Sequence, residues 1–170
     1  MGILAPDART ELIDGLILTK PPFTPPHISS VNRLNVQLVR LIGDLAIVSV
    51  QNCVRLDDGT EPEPDIALIS ASYSEGRLPT AADTLLVVEV AETTEAYDRG
   101  IKMTRYAAAG IPEAWLVLPS RRRVDVFRQP GPGGYASTTE VPEAGSLSIA
   151  AFPDLGMVSV HDVLPPDQTA

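Results

Sequence analysis

The run Leu85-Leu86-Val87-Val88-Glu89-Val90 sets a single carboxylate among five apolar neighbours, in the most β-like stretch of the chain. Both faces of such a strand are expected to be buried. A carboxylate there costs on the order of several kcal/mol unless it is paired or bound to a cation. The alternative is that Glu89 lies near the strand end and reaches solvent or an arginine. Asp65 follows Pro64 and opens another apolar run, Ile66-Ala67-Leu68-Ile69. Alone it reads as a turn or edge residue. With Glu89 it makes two carboxylates on neighbouring strands of one sheet, able to share a divalent cation of the magnesium type. Lys102 is one of only two lysines, against 11 arginines. Asp98, Lys102 and Tyr106 lie four apart and share one face of a helix. The plain reading of Asp98 and Lys102 is a surface ion pair; the sharper one points Lys102 at the carboxylates, since its helix follows Glu89 after a short connection.

The elements that would position these groups are legible in order. Glu11-Leu12-Ile13-Asp14-Gly15-Leu16-Ile17-Leu18 reads as a hairpin about Asp-Gly. Lys20 to Pro26 holds four prolines and reads as an extended connection. From Ile28, the residues Ile28, Val31, Leu34, Leu38 and Leu41 recur at helical steps. Strands are expected at Leu45–Val50, Asp65–Ile69, Leu85–Val90 and Ala114–Leu118, with a helix from about Glu95 to Ala109 closed by Gly110 and Pro112. Arg123–Phe127 and Tyr135–Val141 read as a second hairpin about the Pro130–Gly134 loop, with a tail that packs across one edge. Arg121-Arg122-Arg123 reads as a solvated turn. The order implies an α/β architecture (α+β, with a mixed sheet) in a single domain spanning 1–170, with hairpins flanking the sheet.

Composition narrows the function. The chain has 170 residues, 44% hydrophobic and 21% charged, and a net charge of −9. This is an ordinary globular make-up, and the acidic balance excludes a passive, sequence-blind nucleic-acid coat. Cys53 is the only cysteine and there are two histidines, His27 and His161, so neither a disulfide framework nor a zinc cluster is available. No Gly-x-Ser-x-Gly word supports acyl transfer. The glycines of 131–134 lack the Lys-Ser/Thr of a phosphate loop. No apolar run reaches the roughly 18–20 residues of a membrane span, and the start does not read as a signal peptide, so a cytoplasmic location is expected.

These words, in order, resemble a known family. Glu11-Leu12-Ile13-Asp14-Gly15, a Pro-Pro followed by His27, Glu63-Pro64-Asp65-Ile66, Val87-Val88-Glu89-Val90, Asp98-Arg99-Gly100-Ile101-Lys102, Tyr106-Ala107-Ala108-Ala109-Gly110-Ile111-Pro112-Glu113 and Trp115-Leu116-Val117 are similar to the Uma-two family of restriction-endonuclease-like proteins, within the PD-(D/E)XK nuclease superfamily. The match spans about residues 10–165. The resemblance implies a restriction-endonuclease-like αβββαβ core. It also implies that Asp65 and Glu89 are metal ligands, with the Val90 carbonyl as a third, and that Lys102 stands in for the superfamily lysine. That lysine usually lies two residues after the Glu, where this chain has Ala91. Leu16, and Ala91-Glu92-Thr93-Thr94, are further departures from the family pattern. Glu11 occupies a leading acidic position, as an additional catalytic acid or a solvent-facing hairpin residue. His27 either contacts a phosphate or closes the helix start. Arg99 is a surface residue or a phosphate contact.

The resulting expectation is a Mg²⁺-dependent endonuclease, with Mn²⁺ as a substitute, hydrolysing DNA phosphodiester bonds. Glu11, Asp65 and Glu89 would contribute three of the negative charges at the metal site, so DNA contact would be local, metal-dependent and weak. A homodimer is expected if both strands are cut. The rival is a non-catalytic interaction or scaffold protein that keeps the nuclease fold.

Overall fold

A computed structural model describes residues 9–166. Its centre is a six-stranded mixed sheet. In chain order the elements are β1 (Thr10–Ile13), β2 (Leu16–Thr19), α1 (Pro25–Ile42), β3 (Ala46–Val50), β4 (Ile66–Ser70), β5 (Thr84–Val90), α2 (Glu95–Tyr97), a π turn (Asp98–Lys102), α3 (Met103–Ala108), β6 (Glu113–Leu118), β7 (Arg123–Gly131), β8 (Gly134–Pro142), β9 (Ser146–Leu147), β10 (Val158–Ser159) and α4 (Val160–Val163). The sheet order is β3-β4-β5-β6-β7-β8. Only the β5–β6 pair is parallel. That pairing requires a crossover, and the crossover carries the π turn and α3.

Strand periodicity divides the sheet's side chains between two cores. Leu86, Val88 and Val90 of β5 join Ile66 and Leu68 of β4 against Leu34, Leu38 and Ile42 of α1. Val87 of β5 and Ala67 and Ile69 of β4 face the other way, against Met103 and Tyr106 of α3. The same parity turns Asp65 and Glu89 toward the α3 side. Burial on both faces explains why β5 and β6 read as nearly continuous apolar runs.

Several expectations change in detail. The helix expected from Ile28 begins three residues earlier, at Pro25, inside the proline stretch. Thr24 caps it through its hydroxyl, which accepts from the His27 backbone N–H, and the two prolines occupy the first turn, where their missing N–H groups have no intrahelical role. Ile28 is itself exposed; the buried stripe runs Val31, Leu34, Leu38, Ile42. β7 and β8 continue through the expected loop until Gly131 faces Gly134. Pro130 is tolerated because β6 has already ended its pairing at Arg128, leaving β8 as the one neighbour. In the tail, Leu147, Ile149, Val158, Val160 and Val163 extend the α1-side core. Among the described residues, no helix is long and apolar enough to cross a membrane.

The α1 stripe yields a direct test. Leu38 is fully buried and Val36 is 44% exposed. In urea unfolding, Leu38→Ala is expected to lose about 2–5 kcal/mol through the cavity it leaves. Val36→Ala should stay within about 0.5 kcal/mol of the parent protein.

Candidate active site

Burial isolates a set of charged side chains on the α3 side of the sheet. Glu11, Asp65, Glu89, Asp98 and Lys102 are each 2–5% exposed. The Lys102 ammonium is the hub. Its Nζ lies 3.0 Å from Glu11 Oε2, 3.1 Å from Glu89 Oε1 and 3.9 Å from Asp98 Oδ1. The Tyr106 hydroxyl donates to Glu89 Oε1 at 2.6 Å, and the Tyr97 hydroxyl donates to Glu11 Oε1 at 2.9 Å. Asp65 stands slightly apart. Its Oδ2 accepts from the Val90 backbone N–H at 2.8 Å and lies 3.0 Å from His27 Nε2.

Each residue owes its place to a local feature. Glu89 faces α3 by strand parity, and Asp65 reaches the same face from the residue before β4, where Ile66 pairs with Val88. Lys102 ends the π turn, in which the Met103 N–H bonds to the Asp98 carbonyl. The wider turn is a π bulge within the helix expected over 95–109, a distortion often found at functional sites. It buries both Asp98 and Lys102, so their expected surface pair is an interior one. Glu11 arrives from the opposite end of the chain on β1. That strand is anchored by the Glu61 N–H donating to the Leu12 carbonyl at 2.7 Å.

One ammonium cannot keep three neighbouring carboxylates ionised in a dry site. Burial pushes the Glu89 carboxyl up to about 8, against the pull of Lys102, and burial also raises Asp98. Burial works against the Lys102 charge as well, but the surrounding carboxylates win and raise its pKa. Asp65 behaves oppositely. Burial disfavours its charge, yet the hydrogen bond and charge of His27 and the Val90 N–H hold its carboxyl below the usual range.

The groups line one cavity of about 340 Å³, walled by the proline segment between β2 and α1 and by residues 92–94 after β5. Val90, Glu11 and His27 also line it; Arg99 does not. Arg99 instead pairs with the fully buried Asp125 and with Glu95. The adjacent arginines of the turn carry ion pairs, even where exposed: Arg121 pairs with Glu95, Arg122 with Glu143, and Arg123 with Asp125 and Glu140. The Tyr106 hydroxyl had one sequence signal, its position one turn after Lys102. Tyr97 had none, because the π turn sets its direction.

Among the described residues, no group of three or more His, Cys, Asp or Glu side chains is arranged to hold a metal ion. Two carboxylates are nevertheless a sufficient protein contribution for Mg²⁺, which keeps several waters. Asp65 Oδ1 and Glu89 Oε2 accept no hydrogen bond among the described residues, while their sister oxygens are fixed by protein donors. The hard oxygen donors thus fit a Mg²⁺-type ion.

A crystal structure described as a putative nuclease belonging to DUF820, from Anabaena variabilis, superposes with a TM-score of 0.71 at 15% identity, over 91% of this chain and 88% of that one. Residues 3–161 match the model of Uma2, described as "Putative restriction endonuclease", and the chain belongs to that family. No curated protein matches the sequence.

The hub makes a specific energetic prediction. Lys102→Met leaves buried carboxylates without their cation and should cost about 3–5 kcal/mol in urea unfolding. Adding Glu11→Gln to that variant removes the carboxylate nearest the lost ammonium, 3.0 Å from it in the parent protein, and should recover part of the loss. No recovery would mean that Lys102 contributes by packing alone.

Proposed function

We propose that this protein is a metal-dependent endonuclease that hydrolyses DNA phosphodiester bonds at the Asp65–Glu89–Lys102 site. The observation that carries the reading is the meeting of three chain segments in one cavity. Asp65 and Glu89 come from adjacent strands, each with one oxygen free of protein donors, and Lys102 stands 3.1 Å from Glu89. Membership of a restriction-endonuclease family supports phosphodiester chemistry and DNA as the substrate.

Asp65 and Glu89 would hold Mg²⁺, with the Val90 carbonyl as a further oxygen donor. When bound, the ion supplies charge neutralisation at the phosphoryl group and a more acidic water. His27 and the Val90 N–H fix the orientation of the Asp65 carboxylate, so its free oxygen is presented without reorganisation. Tyr106 does the same for Glu89. Lys102 is placed to orient the attacking water and to offset negative charge that develops on the phosphate. Glu11, itself held by the Tyr97 hydroxyl, fixes the ammonium, keeping its position independent of substrate.

The test uses purified protein with supercoiled and single-stranded DNA. Cleavage is expected with Mg²⁺ or Mn²⁺ and should disappear with excess EDTA. Asp65→Asn, Glu89→Gln and Lys102→Ala are each expected to lower the rate by about 100-fold or more, the scale of a lost electrostatic stabiliser. Metal-dependent cleavage that survives Glu89→Gln would overturn the assignment. Absence of both cleavage and calorimetric Mn²⁺ binding would favour a scaffold that retains the fold.

A further inference from the structure

The charged groups of the candidate site are recessed, which bears on what can reach them. Its five charged residues are 2–5% exposed, and the cavity above them holds about 340 Å³. That volume lies at the small end of the roughly 300–1,000 Å³ typical of small-molecule pockets. It accommodates a nucleotide-sized group rather than a length of duplex. The charge balance points the same way. Five carboxylates line the cavity, and among the described residues its fixed cations apart from Lys102 are Arg9 and Lys20. A duplex-binding face would neutralise many phosphates, with affinity falling steeply in salt. These two cations, Lys20 also 3.9 Å from Glu63 Oε2 and Arg9 donating to the Pro21 carbonyl, support a short contact with one strand.

One wall is built for a planar group. The Arg9 guanidinium lies 3.4 Å from the centroid of the Phe23 ring. Phe23 in turn stacks on His27, with centroids 4.8 Å apart and planes at 20°. His27 reaches Asp65 Oδ2 through Nε2. A stacked column thus ends at a candidate metal ligand and starts from a guanidinium, a surface on which unpaired bases stack readily. Lys20 lies on the same segment, its Nζ donating to the Glu63 carbonyl at 2.8 Å. It could meet the phosphate beside a stacked base.

Resting on the nuclease reading above, we propose that the substrate enters as a single strand. An unpaired base extends the Arg9–Phe23–His27 column, and the neighbouring phosphate is drawn in by Lys20. Intact duplex is disfavoured by the burial of the charged groups and by the scarcity of cations around them.

Fluorescence anisotropy in Ca²⁺ tests this without relying on turnover, using a labelled single-stranded oligonucleotide and a blunt hairpin duplex of the same length. The single strand is expected to bind at least tenfold more tightly. Its log K should fall with log[salt] at a slope of about −1.4, two phosphates at roughly −0.7 each. Lys20→Met should reduce that slope by about 0.7. Arg9→Ala should weaken single-strand binding by about tenfold or more. Arg9→Lys should restore the salt slope but not the affinity, because it returns the charge without the planar surface. Equal affinity for the duplex, no binding of either probe, or an unchanged affinity in Arg9→Ala would overturn the proposal. Tight single-strand binding without cleavage in Mg²⁺ or Mn²⁺ would remove the hydrolytic reading and leave the single-strand assignment standing.

Discussion

The ammonium of Lys102, held in the interior by Glu11, Glu89 and Asp98, is the interaction on which the rest of this structure turns. Taking a lysine out of water is costly, and only close, well-aimed carboxylates make it tolerable. Each comes from a different element: a hairpin near the start of the chain, the central strand β5, and the π turn. The ion cluster therefore ties the β1–β2 hairpin, which forms its own two-stranded sheet, to the main sheet and its crossover helix. Apolar packing alone would not achieve this, since Leu16 and Ile17 of the hairpin are more than half exposed.

The two strand carboxylates sit in contrasting surroundings. Asp65 is surrounded by donors and keeps its charge. Glu89 has one ammonium shared with two other acids and a hydroxyl, in a drier place, and its proton is held more firmly. The contrast follows from position. Asp65 lies just outside β4, where the sheet leaves room for His27 to approach from α1. Glu89 lies within β5, roofed by α3. Chemically similar groups a strand apart are thus electrostatically inequivalent before any ligand arrives.

The sequence displayed more of the site than of its supports. Glu89 stood out because a carboxylate interrupts a continuous apolar run, and Asp65 because it opens another; both signals are local. The β5–α–β6 crossover was also legible, since apolar strands alternating with a helix leave few topologies. What escaped depended on distant contacts. The hub role of Glu11 arises from a pairing with a residue at the far end of the crossover, which no spacing rule reports. The burial of Asp98 follows from the π turn, a rearrangement of backbone hydrogen bonds without a strong residue signature. The ion pairs of Arg121, Arg122 and Arg123 were invisible for the same reason: their acidic partners lie on other elements. The early start of α1 was a matter of emphasis, because prolines that break a helix interior are well suited to its first turn.

The separation of Glu11 from Lys102 along the chain has a consequence for biogenesis. A ribosome releases the hairpin and the strands bearing Asp65 and Glu89 before it releases the crossover. Until residue 102 emerges, Glu11 and Glu89 lack the ammonium that pairs with them and must remain hydrated. Further, β5 cannot gain its parallel neighbour until β6 has also been made. The pocket therefore closes late, by long-range contacts that form slowly. A nascent chain would carry the acidic ligands for some time in an open, unassembled state, with the organised centre appearing only once most of the molecule has been synthesised.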